Sequence, residues 1–312
     1  MEEEFADWRA NGRRFTHRGH QIFWRDSAFT GTLPTGDGGA AARPGPERAL
    51  LCIHGFPTAS WDWHAIWAGL GTEFTRVLAP DMIGFGWSAK PRDYEYSIFD
   101  QADLHEQLLR EQGLSRVHIL AHDYGDTVTQ ELLARDTERK QAGDDSLVIE
   151  SVCLLNGGLF PEAHRARPIQ KLLAGPLGPM VSMLATESAF QASLAGVFGP
   201  DTKPSPTELD QFWLMWCGKH GKRNGHKLIR YMAERRTHRE RWVGALIGTE
   251  VPVRLVNGLL DPVSGGHMVA RYRELIPDAD VVELAKVGHY PQLEAPQETL
   301  AAFLDFHSTR VK

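Results

Sequence analysis

The 312-residue sequence predicts an α/β fold, a mostly parallel sheet flanked by helices and interrupted by a helical insertion. Three observations carry that expectation. Between residues 21 and 306, short β-branched runs alternate with helical patterns, the rhythm of a parallel sheet covered on both faces. Runs such as Val117-His118-Ile119-Leu120 are almost continuously apolar, as strands buried on both faces are. From 158 to 244 the strand rhythm stops, replaced by Pro-punctuated segments of helical spacing such as 169–173 and 228–235.

Taken in order, the expected strands are 21–27, 49–53, 76–79, 117–121, 151–155, 253–257 and 281–284, with helices at 97–111, 125–135 and 266–276. The division expected from this is a core of residues 1–157 and 245–312 with a cap of 158–244. Residues 30–47, rich in Gly, Ala, Pro and Thr, have no apolar period and read as a long exposed loop. Within 219–241, nine Lys or Arg stand against Glu234 and Glu240; a solvated helical face is the simpler reading, and an anionic-ligand site the alternative.

Composition narrows the functional classes. Hydrophobic residues make up 42% and charged residues 24%, enough for a substantial core. No uninterrupted apolar run reaches the roughly 18 residues of a membrane span. A net charge of −6 gives no global reason to bind nucleic acid, so the expected partners are a small-molecule substrate and water. Cys52, Cys153 and Cys217 are odd in number and lack metal-type spacing, and Met1-Glu2-Glu3-Glu4 lacks the order of a secretion signal. The reading is a cytoplasmic protein. With no metal-ligand cluster, phosphate loop or dinucleotide fingerprint, neither cofactor nor metal is expected.

The chemistry-bearing constellation begins where strand 117–121 runs into Ala121-His122-Asp123-Tyr124-Gly125 and a helix. Small residues two before and two after Asp123 permit the sharp turn that holds a nucleophile above the carboxyl edge of a sheet. Alone, Asp123 serves equally well as a helix N-cap. Asp261, in Gly258-Leu259-Leu260-Asp261-Pro262, and His289, in Gly288-His289-Tyr290-Pro291, each follow a strand. The chain order nucleophile, acid, histidine makes coincidence a poor explanation of all three. Ile53-His54-Gly55-Phe56-Pro57 ends another strand, so the amides of Phe56 and Tyr124 are the expected oxyanion hole, with His54 bracing the loop. The Gly84-Phe85-Gly86-Trp87-Ser88 string reads as a structural loop.

These motifs resemble the α/β-hydrolase superfamily and its aspartate-nucleophile branch, the epoxide hydrolases and haloalkane dehalogenases. His122-Asp123-Tyr124-Gly125-Asp126, Leu155-Asn156-Gly157-Gly158, Arg241-Trp242-Val243-Gly244-Ala245-Leu246 and His289-Tyr290-Pro291-Gln292-Leu293-Glu294 are similar to the mesoderm-specific transcript protein family, over about residues 15–306. The resemblance implies a hydrolase fold and hydrolase activity. Departures from better-understood relatives narrow it. Haloalkane dehalogenases carry Trp directly after the nucleophile, where this chain has Tyr124, and a polar or aromatic partner near the His-Gly loop, here Phe56. Epoxide hydrolases present two cap tyrosines, where this insertion has only Tyr231. Fluoroacetate dehalogenases place arginine beside the nucleophile.

The expected reaction is in-line attack by Asp123 on a saturated carbon, followed by hydrolysis of the alkyl-enzyme ester by water that His289 deprotonates while Asp261 orients the ring. Epoxides come first, then alkyl halides, then esters or lactones; a non-catalytic binding protein on the same fold is the remaining alternative. Nine aromatics could wall an apolar pocket: Trp61, Trp63, Phe160, Phe190, Phe198, Phe212, Trp213, Trp216 and Tyr231. Trp63, Trp213, Trp216 and Tyr231 are taken as the substrate-binding candidates, with Tyr231 as hydrogen-bond donor to a leaving oxygen.

Overall fold

A computed structural model describes residues 2–28, 48–218 and 221–311. Its single sheet has eight strands: β1 (Arg13–His17), β2 (His20–Asp26), β3 (Ala49–Ile53), β4 (Arg76–Pro80), β5 (Arg116–His122), β6 (Val148–Leu155), β7 (Val253–Gly258) and β8 (Asp280–Leu284). Their spatial order is β1-β2-β4-β3-β5-β6-β7-β8. The β1–β2 and β2–β4 pairs are antiparallel, and every pairing from β4 through β8 is parallel. Seven strands fall where the sequence pattern puts them. The eighth, β1, escaped because Arg13-Arg14-Phe15-Thr16-His17 is a polar edge strand that buries only Phe15 and His17. The expected loop at 30–47 lies outside the described residues.

Strand order explains where a site can form. From β3 the chain crosses to β4 on one side, whereas β5 pairs with β3 on the other and leads onward to β6. The loops leaving the carboxyl ends of β3 and β5 therefore diverge and open a crevice, the usual position for a ligand in such sheets. β3 is wholly buried and β5 nearly so, which fixes the strand ends as a rigid base. The helix after β5, Tyr124–Ala142, runs well beyond the expected 125–135 and stops at Gly143, whose left-handed φ of 69° favours glycine.

Between β6 and β7 the chain is helical: Pro168–Ala174, Gly178–Leu184, Glu187–Ala195, Pro206–Cys217, Gly225–Leu228, Tyr231–Thr237 and Arg239–Gly248. Local signals start some of these. Ser205 and Glu208 form a reciprocal capping box, with Glu208 N–H donating to Ser205 Oγ at 3.3 Å and Ser205 N–H to Glu208 Oε2 at 2.8 Å. The expected boundary at 244/245 falls inside the unbroken helix Arg239–Gly248, which packs on the helix Tyr124–Ala142 and ties the end of the excursion to the sheet layer. Among the described residues, no helix is long and apolar enough to cross a membrane.

Candidate functional site

The elbow holds Asp123 at φ 47° and ψ −100°, and its side chain makes no hydrogen bond to the helix it precedes. An N-capping Asp would accept from the first turn, and this one does not. A non-glycine residue at positive φ costs about 1–3 kcal/mol and is held there by its surroundings. Those surroundings admit nothing larger at Gly125, where a Cβ would meet Ile53 O at 2.3 Å. Instead of capping, Asp123 Oδ2 accepts the Phe56 N–H at 3.1 Å. Tyr124, the first residue of its helix, has an amide with no intrahelical partner. Of the two donors expected for an oxyanion, the Phe56 amide touches the carboxylate and the Tyr124 amide is left free by its helix.

Asp261 leaves β7 and His289 leaves β8, and the topology brings them together. His289 Nδ1 lies 2.7 Å from Asp261 Oδ2. That carboxylate is saturated: Oδ2 also accepts from Ser264 Oγ at 2.7 Å and Asn156 Nδ2 at 3.0 Å, and Oδ1 from Val263 N–H at 2.7 Å. Burial raises the Asp261 pKa, but His289 and these donors outweigh it and hold it at about 2. For His289, burial works to lower the pKa, while Asp261, then Asp123 and Glu294, lift it to about 9.

Neighbouring polar groups hold the frame. His54 donates from Nδ1 to Gly55 O at 2.9 Å and accepts the Met82 N–H on Nε2 at 3.0 Å; burial lowers its pKa to about 3, so it is a neutral brace. His122 is neutral for the same reason, and its Nε2–H donates to His289 O at 2.7 Å, anchoring that loop to the elbow. Ser88 is spent on Phe23 N–H and Asp81 O, as a structural loop requires.

A cavity of about 410 Å³ lies over these groups, reaching Asp123, His289, Phe56 and Tyr290, and is walled mainly by apolar residues of the helical excursion such as Leu173, Val181, Leu194 and Trp216. Of the four aromatic candidates only Trp216 lines it. Trp63 is fully buried in the short turn Ser60–Trp63, packed into the hydrophobic layer with Leu70 and Phe303. Trp213 packs against Phe190 with the Lys222 ammonium over its ring. Tyr231 is buried beside Tyr124, ring centroids 4.7 Å apart, outside the cavity lining, and its hydroxyl has no hydrogen-bond partner.

The solvated-face reading of 219–241 holds for Arg223, Arg230 and Arg236, which are exposed, and fails at Arg235; Lys219 lies outside the described residues. Helix Tyr231–Thr237 buries Tyr231, Met232 and Arg235 together. The Arg235 guanidinium lies 4.5 Å from the Tyr231 ring centroid. Its Nη2 donates to Asp123 O at 3.0 Å and sits 3.7 Å from Asp123 Oδ1, while Nε donates to Thr127 Oγ1 at 2.6 Å. Sequence reading missed Arg235, Asn156, Ser264 and His122. His122 and Asn156 sat in quoted motifs, but nothing local marks Arg235 among its neighbours.

The arrangement sets a carboxylate at the wall of an apolar cavity, beside a histidine oriented by a second carboxylate. Residues 50–303 match the model of the alpha/beta hydrolase family. The chain is 42% identical to the mesoderm-specific transcript homolog protein of Bos taurus over 308 residues, covering 96% of this chain and 86% of that protein. It is 38% identical over 283 residues to the putative hydrolase LipZ of Mycobacterium tuberculosis, covering 90% of this chain and 96% of that one. In fold it is similar to the haloalkane dehalogenase DatA from Agrobacterium tumefaciens C58, with a TM-score of 0.75 at 22% identity over 99% of both chains. The match runs from β3 to the last helix, well over half of the chain, and the chain belongs to the alpha/beta hydrolase family.

Proposed function

We propose that the protein is a hydrolase working through an alkyl-enzyme ester on Asp123, with small or medium apolar epoxides as its preferred substrates and the helical excursion acting as a cap. One observation carries this reading: Asp123 declines its helix and faces the cavity rim with Phe56 N–H on one oxygen. In the first step an Asp123 oxygen attacks an epoxide carbon, the carbon–oxygen bond of the ring breaks, and the alkoxide takes a proton. Tyr231, expected from the sequence as the donor, lies outside the cavity lining, so that proton comes from water.

In the second step His289 removes a proton from water, the hydroxide adds to the ester carbonyl, and the Phe56 and Tyr124 amides hold the oxyanion. Such a donor is worth about 3 kcal/mol in the transition state. Collapse expels the alkoxide, which takes the imidazolium proton, and the carboxylic acid left on Asp123 releases to water the proton consumed in the first step. The electrostatics favour this order. Part of what holds His289 near 9 is the Asp123 charge; esterification removes that charge, and the ring becomes a better neutral base when it is needed.

An alkyl halide is the second reading, and Trp216 favours it: this indole lines the cavity and its N–H has no hydrogen-bond partner, so it could hold a leaving halide. The experiment is intact-protein mass spectrometry of His289→Gln incubated with epoxides and with alkyl bromides. Addition of a whole epoxide to the Asp123 peptide supports the first reading, and addition of an alkyl group with bromide released supports the second. An enzyme that stays unmodified by both classes, while the native chain still turns either over, overturns the ester mechanism.

A further inference from the structure

The first two helices of the proposed cap, Pro168–Ala174 and Gly178–Leu184, turn an apolar face to solvent. Six of the nine large apolar side chains exposed among the described residues fall here, Ile169, Leu172, Leu177, Met180, Met183 and Leu184, with Leu184 65% exposed. Scattered exposed leucines are ordinary, but a run confined to two packed helices marks an interaction surface. Ile169, Met180 and Leu184 also line the cavity over Asp123, so the cavity reaches the surface through this face.

Within the face the charge is of one sign, bounded in sequence by Glu162 and Glu187. Residues 163–186 contain Arg165, Arg167 and Lys171 and no Asp or Glu. The turn Gly221–Arg223 and the helix Gly225–Leu228, both packed against Gly178–Leu184, add Lys222, Arg223 and Lys227, again without an acid. Ser182 Oγ donates to Lys222 O, joining the two segments. In a chain of net charge −6, this is a cationic, apolar tip. Two copies of it would repel one another. Apolar side chains that enter an interface, ringed by Lys and Arg that reach headgroups, are the composition of a surface complementary to anionic lipid.

We propose that this tip docks on an anionic phospholipid surface, with Leu172, Leu177 and Met183 entering the interface and the mouth of the cavity opening onto lipid. Docking stands on the patch alone; that an apolar substrate is drawn from the lipid rests also on the hydrolase reading above.

The test is co-sedimentation of the full chain with vesicles of phosphatidylcholine alone and of phosphatidylcholine with phosphatidylglycerol, which needs no turnover and so succeeds or fails apart from the catalytic proposal. The native chain should pellet with the anionic vesicles and stay in solution with the neutral ones. Leu177→Asp with Met183→Asp, neither lining the cavity, should cut that binding by at least about tenfold at an unchanged melting temperature. Lys171→Glu with Arg223→Glu should do the same through charge. Absence of binding, equal binding to both vesicles, or binding untouched by both double variants would overturn the proposal. So would a concentration-dependent dimer split by the Leu177 and Met183 changes, which would give the face to a second copy.

Discussion

The carboxyl edge of the sheet and the helices above it meet at one cavity, and they are built on opposite rules. At the edge, Asp261 accepts four hydrogen bonds and its histidine partner is pinned through Asp261 and through His122. Asp123, two strands away in the sheet, accepts one N–H and faces one guanidinium. A residue that must only orient is saturated, while one that must form a bond keeps lone pairs free. Above them, the helices offer mainly apolar walls and a single buried charge, Arg235, that reaches down to the elbow. The lesson is a division of labour: the edge supplies chemistry and fixed geometry, and the helices supply dryness, shape and one electrostatic tie.

Changes at the edge should therefore be the most damaging. Asp123→Ala should lower kcat on any accepted substrate by roughly 10⁴-fold or more, as loss of a nucleophile does. Measured kcat within tenfold of native would break the comparison at its centre.

Cutting the tie between the two regions should rank next. Arg235→Gln removes a buried cation from beside Asp123 and from Thr127 Oγ1, and a broken buried pair costs about 3–5 kcal/mol. Denaturant midpoints should fall accordingly. Arg235→Lys should restore only part of the stability, because the planar fork is lost; an Arg235→Gln variant that unfolds no earlier than the native chain would contradict the tie.

Within the edge, Asn156→Ala takes one donor from Asp261. A hydrogen bond to a charged group is worth about 1.5–3 kcal/mol, so kcat should drop by roughly tenfold or more while KM holds. A shift in KM alone would place Asn156 among the walls.

The smallest effect is on pH. His289 is raised to about 9 in the folded chain from its ordinary 6.5, so its stabilising contribution is complete below 6.5 and is lost as pH rises through about 9. Asp261 behaves in the opposite sense, contributing above its ordinary 3.8 and losing that as pH falls through about 2. Melting temperature should thus slope downward between pH 6.5 and 9, and His289→Gln should flatten the slope. An unchanged slope would remove the Asp261–His289 charge pair from the account.

How much of this was legible follows the same division. Asp123, Asp261 and His289 each sit within a few residues of a strand end, and strands announce themselves by local apolar pattern, so chain order alone assembled the site. Arg235 lies 112 residues from Asp123, and Asn156 lies 105 from Asp261. The first pairing is decided by how a helix packs over the edge and the second by β6 lying beside β7, and no local pattern records either. The same reason put Trp63 and Tyr231 in a pocket they do not line: an aromatic among helices has the same local signature in a wall as in packing. The polar strand β1 shows the limit at the other edge of the sheet, where burial is too slight to leave a period.

The measurement that tests the central claim most directly is a single turnover in water labelled with heavy oxygen, using enzyme in excess over an epoxide. The account predicts that the first product carries unlabelled oxygen taken from Asp123, and that the label appears in the peptide containing Asp123. Label in the first product with none in that peptide would mean that water attacks the substrate itself, and that Asp123 is not the nucleophile.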